Sequence, residues 1–182
     1  PSGPGKSTLA EILIGLINVE KNKIFLDNFD LVKIKDEWQS IVSYVPQDIF
    51  LMDDTLKNNI IGNVDQKFRE KDYAKVIELT QLNELDKLYH KNTIGEKGKK
   101  ISFGQIKRIG IARASYKKKA KVLIFDEATA NLDKKSELEI IEKIIILSEN
   151  FTILFISHNM SLSKYFNNIF KLENKTIMKN NV

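Results

Sequence analysis

The chain has 182 residues, 42% of them apolar and 29% charged, with a formal net charge of +5. That length and apolar fraction suffice for one substantial core and exclude a disordered chain, while the absence of cysteine excludes disulfides and thiolate chemistry and fits a reducing compartment. The basic balance does not imply a nucleic-acid partner: acids are interspersed with Lys97, Lys99, Lys100 and the run Lys117, Lys118 and Lys119, and aromatics do not alternate with them.

In chain order, the first eight residues read PSGPGKST. A complete phosphate loop reads GxxxxGK(S/T), and counting back from Gly5 puts its first glycine before Pro1, so the expectation is a domain truncated at its N-terminus, without the strand that feeds the loop. Gly3 and Gly5 let successive backbone N–H groups point inward, and a helix beginning near Lys6 adds its positive end, which together favour a polyphosphate. Ser2, Gly3, Pro4 and Gly5 form this cradle. Lys6 is placed to reach the β and γ phosphates, Ser7 to offer a hydroxyl to Mg²⁺, and Thr8 to bond a phosphate oxygen nearer the nucleoside.

Residues 8–17 are densely apolar and predict a helix buried against a sheet, which Gly15 weakens only slightly. Residues 23–27 and 41–45 predict short strands, the second ending at Pro46 and Gln47. From Thr55 to Tyr116 the pattern is mostly helical, with an amphipathic segment over 70–80, a further turn or two over 82–89 and a loop over 92–100. Strand, helix, strand then resumes over 122–125, 134–147 and 152–156. No apolar stretch approaches the ~20 residues of a membrane helix. The expected fold is α/β: a nucleotide-binding core from 1–50 and 117–182, with a helical insertion over 51–116, all in one domain. Strands alternating with helices imply a mostly parallel sheet covered on both faces, with ligands at the carboxyl ends of its strands. Gly5 and Lys6, Asp126 and Glu127, and Ser157 and His158 all fall at such ends and are expected to share one crevice.

Asp126 and Glu127 follow the apolar run VLIF and are expected to emerge where a buried strand meets solvent. One acid can hold magnesium while the other orients or deprotonates the attacking water. Trp38 and Tyr44 read as packing residues, and His90 as a charge contact at a helix C-terminus. With no cysteine and two distant histidines, the only metal expected is nucleotide-borne Mg²⁺.

PSGPGKST, YVPQD, ISFGQIKRIGIARA, VLIFDEATANLD and ILFISH, in this order, closely resemble the ATPase domain of ABC transporters, a P-loop NTPase with a RecA-like core, along essentially the whole chain. The resemblance implies ATP and Mg²⁺ as ligands and gives several residues a role. Gln47 matches the glutamine that senses magnesium and water and couples to the membrane domain. Ser102, Phe103, Gly104 and Gln105 match the signature turn, Asp126 the Walker B aspartate and Glu127 the catalytic glutamate. Asp133 matches the D-loop aspartate, and His158 the switch histidine at the γ phosphate. The signature turn opens a helix and would bind the γ phosphate held by a second copy, implying a head-to-tail dimer closed by ATP.

Phe103 departs from the pattern, which has glycine there. Its side chain could point outward harmlessly or weaken the dimer contact, and the outward arrangement is expected. TIGEKG, residues 93–98, and YVPQDIFLMDDTLKNNI resemble exporter segments. An exporter subunit implies six membrane helices, usually in the same polypeptide, and a position on the cytoplasmic face of a membrane. Lipid, lipid-linked sugar, peptide and drug cargo stay open. Two other readings are a soluble ABC ATPase outside transport, which would call for a coiled-coil insertion or tandem domains, and a module that closes on ATP with little turnover.

Overall fold

The computed structural model describes residues 5–62, 68–173 and 175–180. Ser2, Gly3 and Pro4 of the expected phosphate loop lie outside them.

Helix α1 runs Lys6–Leu13, shorter than the 8–17 expected, because Gly15 ends it instead of merely weakening it. Gly15 takes φ 76°, its N–H bonds Ile12 O at 3.0 Å and the Leu16 N–H bonds Glu11 O at 2.9 Å. These are the paired closing bonds that a left-handed residue after a helix makes possible, and Leu16 beyond them is exposed. The strand expected over 23–27 shrinks to β1 (Phe25–Leu26), which pairs antiparallel with β2 (Phe29–Asp30) in a hairpin outside the main sheet. A short helix that periodicity did not reveal, α2 (Lys35–Ile41), delays β3 to Val42–Val45. Seven residues with one buried member, Trp38, carry no repeating apolar pattern. Trp38 packs as expected, its indole N–H donating to Leu13 O.

Three helices follow: α3 (Leu56–Ile61), α4 (Glu70–Leu79) and α5 (Asn83–Leu88). The loop expected over 92–100 contains one tight 3₁₀ turn, Glu96–Gly98. Helix α6 (Phe103–Tyr116), strand β4 (Val122–Asp126), helix α7 (Lys134–Leu147) and strand β5 (Thr152–Ile156) then appear, followed by an unanticipated antiparallel hairpin of β6 (Ile169–Glu173) and β7 (Thr176–Asn180). No helix among the described residues is long and apolar enough to cross a membrane.

The main sheet has the order β3-β4-β5, all parallel, with Val45 opposite Phe125 and Phe125 opposite Phe155. Side chains of the central strand alternate between two cores, as the period of two requires. Leu123 and Phe125 pack with Ile111, Ala114, Ile140 and Ile144 of α6 and α7, whereas Ile124 packs with Ala10, Ile14 and Trp38 on the other face. Burying each such chain contributes about 1.5–3 kcal/mol. A third cluster joins Leu51, Leu56, Tyr73, Val76 and Leu82 to Ile109, Ala112 and Tyr116 of α6. Helix α6 therefore belongs to two cores at once, one around the sheet and one among α3, α4 and α5.

Candidate nucleotide site

The carboxyl end of β4 carries the chemistry. Asp126 closes the strand opposite Ile156, and Glu127 donates its N–H to Ile156 O at 3.0 Å. Glu127 takes φ 50°, a left-handed conformation that a residue with a side chain adopts at a cost of about 1–2 kcal/mol. The acids do not emerge into solvent as expected: Asp126 is 2% exposed and Glu127 7%. The Tyr44 hydroxyl on Asp126 and the Lys6 and His158 side chains on Glu127 replace open solvent on the oxygens they meet by protein groups.

Tyr44, read as a packing residue, does more than pack. Its hydroxyl donates to Asp126 Oδ2 at 3.0 Å, and burial, with the Asp126 charge behind it, pushes the phenol well above its usual range. The other oxygen, Asp126 Oδ1, is buried without a hydrogen-bond partner among the described residues. A bare buried carboxylate oxygen is costly, and a hard cation or its water relieves that cost. The unpartnered oxygen of Asp126 fits a hard cation such as Mg²⁺.

Gly5, with φ 119°, precedes α1 without a side-chain cap, and no acidic residue occupies the first turn. The leading N–H groups and the helix dipole are thus offered to an anion. From this helix Lys6 extends its Nζ to 3.9 Å from Glu127 Oε1, while His158, two residues past β5, brings Nδ1 to 2.7 Å from Glu127 Oε2. The three chain positions expected to converge do so, with Glu127 as their meeting point. Beside them opens a cavity of about 480 Å³ lined by Glu127, Asn131, Glu137, His158 and Asn159.

The other expected residues make no hydrogen bond or ion pair to Lys6, Glu127 or His158 among the described residues. Ser7 and Thr8 are exposed on α1. Gln47 is exposed, and its backbone carbonyl accepts from Lys107 Nζ. Ser102 caps α6 reciprocally with Gln105: the Ser102 N–H donates to Gln105 Oε1 at 2.8 Å, and the Gln105 N–H to Ser102 Oγ at 3.2 Å. Phe103 is 45% exposed, and a side chain at Gly104 would meet nothing within 4 Å. Asp133 caps α7, accepting from the N–H groups of Lys135 and Ser136 at 3.0 Å each and from Ser136 Oγ at 2.6 Å. These bonds, those from Ser136 foremost, hold its carboxyl below the usual carboxylate range. His90 is exposed just beyond α5.

Two residues of this region escaped sequence reasoning: Tyr44, through its hydroxyl, and Lys107. A signal existed for Lys107, which shares the row 107, 111, 114 of α6 with buried Ile111 and Ala114.

A parallel sheet whose central strand ends in buried acids, met by a lysine from a glycine-opened helix, defines a P-loop nucleotide-binding protein. The family model described as ABC transporter matches residues 1–130, and the chain belongs to that family. It is 37% identical over 165 residues to the ATP-dependent lipid A-core flippase of Francisella novicida, an alignment covering 88% of this chain and 28% of the flippase. It is 28% identical over 182 residues to a lactococcin transport/processing ATP-binding protein of Lactococcus lactis, covering 98% of this chain and 25% of that protein. Among solved structures, a bacterial Atm1-family ABC exporter with ATP bound superimposes with a TM-score of 0.83 at 27% identity, over 96% of this chain and 31% of the exporter. The chain thus spans less than a third of the length of these relatives.

Proposed function

We propose that this chain is the ATP-hydrolysing motor domain of an ABC exporter, working at the cytoplasmic face of a membrane with membrane-spanning domains, and closing head-to-tail on a second copy to drive export or flipping of a substrate. The observation that carries the reading is the meeting of Lys6, Glu127 and His158, residues far apart in sequence, at the ends of α1, β4 and β5. The reaction is ATP plus water to ADP plus phosphate.

In this reading the Gly5 loop, Lys6 and the first-turn N–H groups of α1 bind the phosphates, and Thr8 adds a hydroxyl. Glu127 takes the proton of the attacking water, held in place by His158 at Oε2. Burial of the carboxylate removes competing solvent and strengthens each of these contacts. Ser7, Gln47 and Asp126 would hold Mg²⁺, which neutralises charge on the phosphates. The exposed turn of Ser102, Phe103, Gly104 and Gln105, with Asp133, serves the nucleotide of the second copy, and 51–116 acts as the subdomain that presents this turn. The flippase and the lactococcin transporter are named for unlike cargoes, which supports leaving the choice of cargo to the membrane-spanning part.

The test is phosphate release by the complete protein in lipid vesicles. Mg²⁺-dependent, vanadate-sensitive hydrolysis is the expected result; tight ATP binding with no phosphate release would replace the motor by a nucleotide-gated module.

A further inference from the structure

Resting on the motor reading above, we propose that Lys107 is a positioning residue that couples the signature turn to Gln47 within one chain, with Phe103 as the cover over its charge. Lys107 sits one turn into α6, 1% exposed, a lysine in a row otherwise occupied by apolar side chains. Its ammonium donates to the Gln47 carbonyl and lies 5.2 Å from the centre of the Phe103 ring. That distance is within reach of a favourable cation–aromatic contact. One buried cation therefore touches the residue that flanks the magnesium site and the residue that lies in the turn offered to a second copy.

A second contact fixes the same segment to the same helix. Arg113 donates from Nη1 and Nη2 to Phe50 O, at 3.1 Å each, and from Nε to Asn59 O at 2.8 Å. The chain from Gln47 to Phe50 is thus held against α6 at both ends, and Ile49 between them packs in the cores that α6 shares. A displacement of the α6 N-terminus carries Gln47 with it. Burial lowers the Lys107 pKa, while the charges of Asp48, Glu127 and Asp126 oppose that shift, so the ammonium also lies in the field of the site's own acids.

Phe103 gains a role from this geometry. Glycine at that position would leave the ammonium without a ring beside it. A phenyl group contacts Lys107 from the turn itself, so whatever docks on the turn presses on the group that holds Gln47. Occupancy of the second copy's nucleotide is thereby felt at this chain's own magnesium site.

The experiment uses the complete protein and separates binding from turnover. Lys107→Met keeps the aliphatic bulk and removes the donor; it is expected to lower kcat about tenfold while KM and the affinity for a non-hydrolysable ATP analogue change less than about twofold. Lys107→Gln restores a donor and is expected to lose less than about threefold. In a Gln47→Ala background, which leaves the backbone carbonyl in place, either substitution is expected to have almost no further effect, because both act through the same side chain. Wild-type kcat in Lys107→Met, equal losses in Met and Gln, or fully additive losses in the Gln47→Ala background would overturn the coupling. Should Lys107→Met not fold, Lys107→Arg, which keeps charge and donor, takes its place in the cycle and must also fall silent without Gln47. A wild-type protein that hydrolyses no ATP would instead remove the motor reading.

Discussion

The two faces that the proposed reading assigns to nucleotide differ in how much of themselves they already hold. Around β4 the two acids are buried and tied across elements: Glu127 meets Lys6 from α1 and His158 from beyond β5, and Asp126 is held by Tyr44 of β3. The signature turn is exposed, and its hydrogen bonds are satisfied within itself, Ser102 with Gln105. One face is organised by the chain's own fold, and the other presents a finished helix end whose Ser102 and Gln105 bond each other. The contrast suits the proposed two-copy reaction, because a turn that already engaged its own chain's acids would have no reason to reach across.

Substitutions test that contrast, and the strongest falls on the organised face. Lys6→Ala is expected to lower turnover about 10²–10³-fold, since in the proposed reading it removes the charge that binds the phosphates beside Glu127. A loss below tenfold, read by phosphate release, would mean that the convergence on Glu127 is not the reacting centre. Tyr44→Phe is next. It leaves both oxygens of a buried carboxylate unpartnered, costs about 1–3 kcal/mol of stability by urea unfolding without Mg²⁺, and raises the Mg²⁺ needed for half-maximal turnover. An unchanged midpoint would show that Asp126 does not depend on the phenol.

On the exposed face the effects shrink. Phe103→Gly is expected to change turnover by less than about tenfold, or ~1.4 kcal/mol of barrier. A larger gain would reveal a turn impaired by its phenyl group. The smallest effect is one of pH. The Asp133 carboxyl lies below its ordinary value when folded, so its contribution to stability is complete above that ordinary value and is lost as pH falls through the folded one. Asp133→Asn is therefore expected to flatten the acid limb of the unfolding profile below about pH 4. An unaltered limb would mean that the α7 cap does not hold this charge in solution.

What the sequence revealed and what it hid follow a physical divide. Strands at 122–126 and 152–156 and helices at 70–79 and 134–147 are legible because their apolar spacing is set by packing against one another. The converging strand ends are legible too, because a parallel sheet sends all its carboxyl ends to one side. Helix α2 is hidden because its seven residues bury Trp38 alone, and the stop at Gly15 is hidden because a left-handed closure depends on φ, not on composition. The burial of Asp126 and Glu127 is a tertiary fact. Neither acid is apolar; the Tyr44 hydroxyl lies on Asp126, and Lys6 and His158 lie on Glu127. The cap made by Asp133 carries its own sequence signal, since Asp before a helical run is an N-cap pattern.

In the proposed reading Glu127, buried and held between Lys6 and His158, is the base of an ATP-hydrolysing site. Single-turnover phosphate release by the complete protein, wild type against Glu127→Gln, tests it most directly. The account predicts that the variant binds ATP as tightly as wild type and releases phosphate at least about 10²-fold more slowly. A variant that keeps more than about a tenth of the wild-type rate would contradict the claim.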